Sequence, residues 1–413
     1  MPALPPGRWR DAARATGLLA PDGTVAATVF AEMSALAART GAINLGQGFP
    51  DVDGPSWVRR AAVDAIAPDA ESGANQYPPG PGVPTLLDAV AAHQDRHYGI
   101  RLDPATQVLV TTGATEALAA TVLALAGPGD DVVTLEPFYD AYAACIALAG
   151  ARHLTVPLVR DPARPGAPLR LDLDALRAAV TDRTRIVLVN TPHNPTGTVL
   201  TRPELEAVAD AARRHDAIVL TDEVYEHLVF DDAVHVPVAT LPGMAERTLT
   251  VSSVGKSWSL TGWKVGWVTG PAELLTAVRT VKQFLTYVSG APFQPAVARA
   301  LGDDTFPREL AASLAARRDL LCEGLDAAGF AVSRPRGTYF VVADGSPLGF
   351  DDGADLCRRL PALAGVVGVP MSAFCTPGSP TAVALRSSVR FTFVKKEPVL
   401  REAVRRLAAL RRA

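Results

Sequence analysis

Five apolar runs in the middle of the chain are each followed within a few residues by groups that could take part in chemistry. In chain order these residues are Gly113-Ala114-Thr115, Tyr139, Asn194, Asp222 and Lys256. A lysine amine can form a Schiff base with a carbonyl group, and a carboxylate at the end of a buried strand needs a cationic partner such as a pyridinium nitrogen. Free N–H groups at the start of a helix, together with a hydroxyl group, can hold a phosphate. The set therefore offers an amine, a carboxylate, an amide, an aromatic ring and a phosphate cradle.

Each of these residues also has an ordinary structural interpretation. Gly113 could belong to a tight turn capped by Thr115, and Lys256 could be a solvated surface lysine. Asp222 could form an ion pair with an arginine. Asn194 lies in a proline-flanked turn, and its side-chain amide could simply stabilise that turn. Aromatic residues nearby could equally belong to the core. The common position of these residues after strands favours a site, since no single one of them is specific.

Lysine is rare in this chain, which makes each lysine position informative. Lysine and arginine together number 40, but the lysines are only Lys256, Lys264, Lys282, Lys395 and Lys396. Arginine cannot supply a neutral amine near neutral pH, whereas lysine can. In a background so rich in arginine, a lysine that closely follows an apolar run is a candidate for a reactive amine.

The elements that must position these residues alternate between strand and helix. Apolar runs predict strands at residues 107–112, 131–135, 185–190, 217–221, 248–252 and 265–269. Helical periodicity predicts helices at residues 114–126, 140–149 and 202–215. This order is typical of an α/β fold with a mainly parallel sheet covered by helices. Because ligands bind beyond the carboxyl ends of such strands, we expect the five groups to meet at one edge of the sheet.

The alternation of predicted strands and helices ends at about residue 300. A long helical pattern at residues 308–328 is followed by two strands around a Pro/Gly turn, and a strand at 388–393 precedes a helix at 398–412. We therefore predict three parts in this chain. They are an N-terminal arm at 1–45 that packs with the last part, a large domain at 46–295 and a small α+β domain at 296–413.

The composition argues against several classes of protein. Of the 413 residues 48% are hydrophobic, and 40 basic residues nearly balance 43 acidic ones. Neither extensive disorder nor binding of nucleic acid or membranes through bulk charge is therefore expected. No apolar run is long enough for a membrane-spanning helix, and the N-terminus does not resemble a secretory signal. The four cysteines form no close pair, which argues against a disulfide framework and favours a cytoplasmic protein.

Motifs for other chemistries are absent or incomplete. His93 and His97 stand four residues apart, but the segment HQDRH lacks the glutamate of HExxH, so we expect a polar helix face and no metal. The glycines at 46–48 and 80–82 do not form GxGxxG, and no serine-hydrolase or P-loop motif occurs. These patterns give no support to nicotinamide, serine-hydrolase or nucleotide chemistry.

Longer segments around the candidate residues resemble one enzyme family. NTPHNPTG (190–197), TDEVYEHLVF (221–230) and SSVGKSWSLTGWKVGW (252–267) resemble the fold-type I, pyridoxal-phosphate-dependent class I/II aminotransferases. INLGQGFPDVDGP, TTGATEAL, EPFYDAY and VRFTFVKKE are similar to the kynurenine/methionine aminotransferase branch. FAEMSALA, NQYPPGPG, GMAERT and GAPFQPAVA are most similar to the actinobacterial N-succinyldiaminopimelate aminotransferases. The resemblance covers residues 25–412 and implies a mainly parallel seven-stranded sheet in a large domain plus a smaller α+β domain.

The resemblance implies that the cofactor is pyridoxal 5′-phosphate and gives each candidate residue a role. Lys256 would carry the cofactor as a Schiff base, and Asp222 would keep the pyridine nitrogen protonated. Asn194 and Tyr225 would bind the 3′-oxygen, and Tyr139 would stack on the ring. The residues that would hold the phosphate are Gly113, Ala114, Thr115, Ser253 and Lys264.

The same resemblance implies a homodimer and assigns the substrate side of the site. Tyr77 would reach the phosphate in the neighbouring subunit, and Arg390 would bind the substrate α-carboxylate through two hydrogen bonds. The backbone of Gly48 would approach this carboxylate, beside Asn194, and Phe30 would line the pocket.

The implied activity is a ping-pong transfer of an amino group from an L-amino acid to a 2-oxo acid, with 2-oxoglutarate as the expected acceptor. Lys256 would take the Cα proton and deliver it to the cofactor C4′. N-succinyl-LL-2,6-diaminopimelate is the first substrate to consider, followed by kynurenine, methionine, glutamine and aromatic amino acids. A carbon–sulfur β-lyase on the same cofactor and a non-catalytic regulator stay open, although Lys256 and Asp222 argue against the regulator. One departure from the family is Lys264, where many class I enzymes have arginine.

Overall fold

The computed structural model describes residues 6–20, 22–67, 74–161, 163–164 and 166–412. Residues 1–5 and 21 of the expected N-terminal arm, 68–73, 162 and 165 of the large domain and 413 of the small domain lie outside the described residues. The strands are β1 (Ile43–Asn44), β2 (Val108–Thr111), β3 (Asp131–Glu136), β4 (Arg152–Val159), β5 (Arg170–Leu171), β6 (Thr184–Asn190), β7 (Ile218–Asp222), β8 (Thr248–Ser253), β9 (Gly266–Thr269), β10 (Ala331–Ser333), β11 (Phe340–Asp344), β12 (Val366–Val367), β13 (Val369–Pro370) and β14 (Ser388–Thr392). The α-helices are α1 (Trp9–Ala15), α2 (Val29–Thr40), α3 (Ser56–Ile66), α4 (Pro84–Tyr98), α5 (Gly113–Leu125), α6 (Asp140–Ala149), α7 (Leu173–Ala179), α8 (Arg202–Arg214), α9 (Val254–Ser257), α10 (Ala272–Lys282), α11 (Gln294–Leu301), α12 (Thr305–Ala327), α13 (Gly353–Ala364), α14 (Pro380–Ala384) and α15 (Glu397–Leu407).

The largest sheet has the strand order β2-β9-β8-β7-β6-β3-β4-β5. Strands β8, β7, β6, β3 and β4 are parallel neighbours, whereas β9 runs antiparallel between β2 and β8. In β6, Ile186 and Leu188 belong to one buried cluster and Val187 and Val189 to another, so the strand is covered on both faces. The α/β fold with a mainly parallel sheet is therefore confirmed, and the antiparallel edge strand β5 adds an eighth strand to the expected seven.

Two strands of this sheet were not predicted. Strand β4 begins with Arg152 and His153 and contains Pro157, so its sequence lacks the continuous apolar run of its neighbours. It is nevertheless parallel to β3 over its first six residues, and its Val156 and Leu158 are buried. The strand forms because tertiary packing surrounds it with apolar residues, although its own sequence has no apolar pattern that would predict a strand.

A second, smaller sheet has the order β10-β11-β14-β13, and its neighbouring strands are antiparallel. The long helix α12 contacts β10, β11 and α15. The helix predicted at 398–412 ends as α15 at Leu407 and continues as a 3-10 turn to Arg412. Strand β14 matters most for the site because Arg390 is its central residue.

The N-terminal elements contact two different parts of the molecule. Helix α1 contacts α6, whereas α2 contacts α13 and β1 pairs in parallel with β12. The second set of contacts holds Phe30 and Gly48 beside the sheet that contains Arg390. Within the described residues, no helix is both long enough and apolar enough to cross a membrane.

The expected polar helix face around His93 is wrong. His93 and Gln94 are buried on α4, and His93 Nε2 lies 2.7 Å from His227 Nε2. Both imidazole rings also contact Trp258 edge to face. A helix face that looks polar in sequence becomes buried here because other polar and aromatic side chains from distant segments meet it.

Candidate active site

One cavity of about 320 Å³ lies at the carboxyl ends of the parallel strands. Every candidate residue except Tyr77 lines it. The contributions come from the segments that follow β2, β3, β6, β7 and β8, from β14, and from the N-terminal region. The fold therefore brings together groups that are spread over most of the chain.

Asp222 is the last residue of β7 and is buried at the cavity. Its Oδ2 accepts a hydrogen bond from the Tyr142 hydroxyl at 2.6 Å, and the Val224 N–H donates to Oδ1 at 3.4 Å. Burial raises the pKa of Asp222, and the hydrogen bond from Tyr142 opposes this rise. Lys256 is its cationic neighbour, but the described residues place no ion pair directly on the carboxylate. A cation held in the cavity would stabilise the ionised form.

Lys256 lies in the short helix α9, which begins directly after β8. Its Nζ is 5.8 Å from the ring centroid of Tyr225 and 5.8 Å from that of Tyr339. The residue is half-buried and lines the cavity, so the alternative of a solvated surface lysine does not describe it. Aromatic faces surround the amine, which leaves its nitrogen available to a bound carbonyl group.

The start of helix α5 forms one end of the cavity. Gly113 has a φ of 73°, in the left-handed region, and a Cβ there would lie 3.0 Å from Lys264 Nζ. Glycine thus permits both the turn and the close approach of the amine. Burial lowers the pKa of Lys264, and the charge of Lys256 lowers it further. This end also contains Ala114, Thr115 and Ser253. A helix N-terminus beside an amine suits a phosphate group.

Asn190 holds the Asn194 turn against the end of β7. The Asn194 N–H donates to Asn190 Oδ1 at 2.7 Å, while Asn190 Nδ2 donates to the carbonyl oxygen of Asp222 at 2.8 Å. One amide side chain therefore sets the distance between the turn and the strand. The Asn194 side chain is left to face the cavity and Arg390.

Two tyrosines line the middle of the cavity. Tyr225 is buried and packs edge to face on Tyr339, with 5.3 Å between the ring centroids. Burial raises the pKa of Tyr225, and neighbouring Tyr339 raises it further. Tyr139 lies at the start of α6, and burial raises its pKa to about 12. Both phenols are therefore protonated hydrogen-bond donors near neutral pH.

Arg390 is a buried cation enclosed by aromatic rings. Its guanidinium carbon lies 4.0 Å from the ring centroid of Phe340, 4.6 Å from that of Phe374 and 5.5 Å from that of Phe30. Nη1 donates to Asn194 Oδ1 at 3.0 Å and Nη2 to the Gly46 carbonyl oxygen at 2.8 Å.

The charge of Arg390 has no acidic partner at ion-pair distance among the residues that the structure describes. Its Nε is buried without a hydrogen-bond partner, and burial lowers the pKa of the guanidinium to about 10. A buried cation is costly unless it is paired. An anionic group entering the cavity would supply the missing partner.

Gly48 lies against the ring that stacks on this arginine. Its carbonyl oxygen accepts a hydrogen bond from the Tyr339 hydroxyl at 2.6 Å. A Cβ at this position would lie 2.4 Å from Phe340 Cζ. Glycine is therefore the residue that allows the loop after β1 to approach Phe340 and Arg390 closely.

Tyr77 lies outside this cavity. Its side chain is 80% exposed and packs edge to face on Tyr287, with 5.4 Å between the ring centroids. It lines a separate surface pocket formed by residues 74–78 and 288–292. Within one chain, it does not join the other candidate residues.

Sequence reasoning missed three residues of the site. Tyr142 bonds to Asp222, Asn190 bonds to both Asn194 and Asp222, and Phe340 stacks on Arg390. A signal existed for Asn190, because it is a polar residue at the end of an apolar strand. Tyr142 and Phe340 resemble ordinary core residues in sequence, since only the fold brings them to partners far along the chain.

Comparison with known proteins identifies the family. The family model described as "Aminotransferase class I and II" matches residues 40–407. The chain belongs to this family. It is 56% identical over 390 residues to a probable N-succinyldiaminopimelate aminotransferase of Mycobacterium tuberculosis, covering 93% of this chain and 96% of the relative. It is 38% identical over 384 residues to a methionine aminotransferase of Escherichia coli, covering 93% of this chain and 96% of the relative.

A solved structure of N-succinyldiaminopimelate aminotransferase from Mycobacterium tuberculosis has the same fold. The TM-score is 0.90 at 53% identity, and the match covers 98% of this chain and 100% of that chain. The protein is therefore an aminotransferase of fold type I, and its cofactor is pyridoxal 5′-phosphate.

The cavity fits this cofactor on independent grounds. Asp222 offers a buried carboxylate that forms no ion pair within the described part of the chain, which suits a ring nitrogen that must stay protonated. The cradle at Gly113 holds no side chain of its own and faces Lys264 Nζ, which suits a phosphate. Lys256 lines the same cavity, and its charge acts on both Asp222 and Lys264. The chemistry of the donor set thus matches the cofactor at each end.

Proposed function

We propose that this aminotransferase moves the amino group of N-succinyl-LL-2,6-diaminopimelate to a 2-oxo acid, with 2-oxoglutarate as the acceptor. The observation that carries the proposal is Arg390, a buried cation on the cavity wall that lacks an acidic partner within the described ranges. The relative at 56% identity supports the choice of substrate. The relative at 38% identity supports a second candidate, an aminotransferase for methionine and similar amino acids.

In this proposal Arg390 and its neighbours bind the α-carboxylate of the substrate. The Arg390 guanidinium binds the substrate α-carboxylate, and Asn194 holds the guanidinium through Nη1. Phe340, Phe374 and Phe30 cover the guanidinium and exclude water from it, which strengthens its attraction for the carboxylate. Substrates that lack a carboxylate next to the amino group should therefore bind poorly.

The remaining residues handle protons and hydrogen bonds. Pyridoxal 5′-phosphate held here would supply an electron sink that makes the proton on the substrate Cα acidic. The Asp222 carboxylate would hold a proton on the ring nitrogen, and Tyr225 and Asn194 would donate to the 3′-oxygen. Lys256 Nζ would take the proton from Cα and deliver it to C4′, as base and then as acid. Gly113, Ala114, Thr115, Ser253 and Lys264 hold the phosphate.

Lys256→Ala tests the assignment of the central amine. We expect this variant to lose turnover and the absorbance of the covalently held cofactor, because no other lysine lies at that place in the cavity. Lys396→Ala is the matched control, since Lys396 is exposed. Turnover at the wild-type level in Lys256→Ala would show that the assignment is wrong.

A half-reaction screen tests the substrate. The holoenzyme is mixed with N-succinyl-LL-2,6-diaminopimelate, methionine, kynurenine or glutamine, and the loss of cofactor absorbance is followed without any oxo acid. The proposal predicts that the succinylated donor has the highest second-order rate constant for the half-reaction. A higher value for methionine would favour the second candidate, and pyruvate with ammonia from a cysteine conjugate would indicate β-elimination.

We further propose that the protein is a homodimer in which Tyr77 of one subunit completes the phosphate site of the other. Tyr77 packs on Tyr287, which is 50% exposed, and Phe284, three residues before Tyr287, is 82% exposed. These exposed aromatic side chains support this assembly. Mixing Lys256→Ala subunits with Tyr77→Ala subunits should give more activity than the two variants give separately. If a verified mixed dimer shows no more activity than the two variants measured separately, the site is not shared between subunits.

We also propose a location in the cell and a division of the chain into domains. The four cysteines are buried and free, which supports a reducing location such as the cytoplasm. The division into 1–45, 46–295 and 296–413 stays a prediction, and limited proteolysis around residue 295 would test it.

A further inference from the structure

Three histidines that the proposed reaction does not use meet outside the active-site cavity. His93 and His97 come from one face of helix α4, and His227 comes from the segment that starts at Asp222, the last residue of β7, and includes Tyr225. The ring centroids are 4.6 Å apart for His93 and His97, 5.0 Å for His93 and His227, and 4.8 Å for His97 and His227. The three rings therefore form a nearly equilateral triangle.

The nitrogen atoms of these rings converge as well. One nitrogen from each ring lies within 4.8 Å of the others, and the Nε2 atoms of His93 and His227 are 2.7 Å apart. His93 is completely buried, and its Nδ1 has no hydrogen-bond partner.

An acidic residue and an access route complete this arrangement. His97 Nε2 is 3.1 Å from Asp304 Oδ1, and Arg96 holds the same carboxylate through two hydrogen bonds. His97 and Asp304 keep 23% and 34% of their side-chain surfaces exposed. A surface pocket lined by His97, His227 and Asp304 leads to the cluster. An ion could therefore reach the histidines from solvent.

We propose that His93, His97 and His227 bind one divalent zinc ion, with Asp304 orienting His97 from outside the coordination shell. Three imidazoles are a ligand set that zinc prefers, and a carboxylate behind a ligating histidine is its common outer partner. The fourth position would hold water.

Zinc binding requires the three imidazole rings to turn so that their nitrogens become evenly spaced. Zinc–nitrogen distances of about 2.0–2.1 Å in a tetrahedron place the nitrogens about 3.3 Å apart. The close pair of His93 and His227 must widen by about 0.6 Å, and nitrogens that are 4.8 Å apart must approach each other by about 1.5 Å. His97 is partly exposed and can turn to do this.

The site would tie helix α4 to the segment that carries Asp222 and Tyr225. Zinc bound only by the folded protein raises its resistance to unfolding. Its proposed role is therefore to stabilise the wall behind the cofactor, independently of which amino donor the enzyme accepts.

Zinc titration of the holoenzyme tests the proposal. After chelator treatment and dialysis, calorimetry should give one zinc equivalent per chain, and Co²⁺ should give the visible spectrum of a tetrahedral complex. His97→Ala and His227→Ala should each weaken zinc binding by at least about tenfold. His215→Ala is the matched control, since His215 also contacts a carboxylate, Asp182 at 2.7 Å, but stands apart from this cluster.

Thermal unfolding of the wild-type protein gives a test that needs no variant. Added zinc should raise the unfolding midpoint of wild type and of His215→Ala, but not of His97→Ala or His227→Ala. The proposal is overturned if wild type binds no zinc at micromolar concentrations. It is equally overturned if the histidine variants, folded by circular dichroism, bind zinc as tightly as wild type does.

Discussion

Tyr142→Phe should shift the acidic limb of the pH–rate profile to higher pH. The Tyr142 hydroxyl donates to Asp222 Oδ2 at 2.6 Å, and both groups are buried. This donor stabilises the carboxylate and holds the pKa of Asp222 below the value that burial alone would impose. The substitution keeps the aromatic ring but removes the hydroxyl group and therefore the hydrogen bond. The ionised form of Asp222 then loses its best neutral donor.

The expected size of the shift follows from the strength of that bond. A hydrogen bond to a charged group contributes about 1.5–3 kcal/mol. Since one pKa unit corresponds to about 1.4 kcal/mol, the pKa of Asp222 should rise by about one to two units. Protonated Asp222 cannot hold a cationic ring nitrogen, so turnover should fall most at the acidic end of the profile. At alkaline pH the variant should approach the wild-type rate.

The assay is kcat/KM for one amino donor across the pH range, with cofactor saturation checked at each point. Tyr98→Phe is the matched control, because Tyr98 also donates to a buried carboxylate, Glu226 Oε2 at 2.8 Å, but lies away from the cavity. The control should leave the acidic limb in place. If Tyr142→Phe superimposes on wild type at every pH, the Tyr142 bond does not control the ionisation of Asp222 and the reasoning is refuted.

Three other predictions concern the substrate carboxylate and the buried acid. Arg390→Lys should raise KM for the amino donor by about tenfold or more with a smaller change in kcat, because an ammonium group cannot form two parallel hydrogen bonds to a carboxylate; an unchanged KM would contradict the assignment. Gly48→Ala places a methyl group 2.4 Å from Phe340 Cζ, so the ring on Arg390 must move and steady-state assays should show a higher KM. Burial raises the pKa of Glu226 to about 7, so the folded state binds a proton that the unfolded state releases above about pH 4.5. The contribution of Glu226 to the free energy of unfolding therefore falls as the pH rises from 4.5 to 7. Glu226→Gln should flatten the pH dependence of the thermal midpoint over that range, and an unchanged slope would contradict it.

Strand ends were the part of the fold that could be predicted best. The runs that became β6 and β7 are apolar without interruption, because helices cover both of their faces, and each ends at the polar residue that lines the cavity. Strand β4 escaped prediction because its pairing with β3, rather than its own composition, makes it a strand. The burial of His93 escaped for a similar reason, since its partner His227 is remote in sequence.

The sequence by itself determined the α/β order, the family and the residue types of the site, because strand periodicity and the residues that follow each strand are local properties. Only the tertiary structure decided that Tyr142 would meet Asp222, that Phe340 would cover Arg390 and that three histidines would converge. The physical reason is that such contacts join segments far apart along the chain. Their partners, distances and burial exist only after the sheet and its neighbouring elements have packed together.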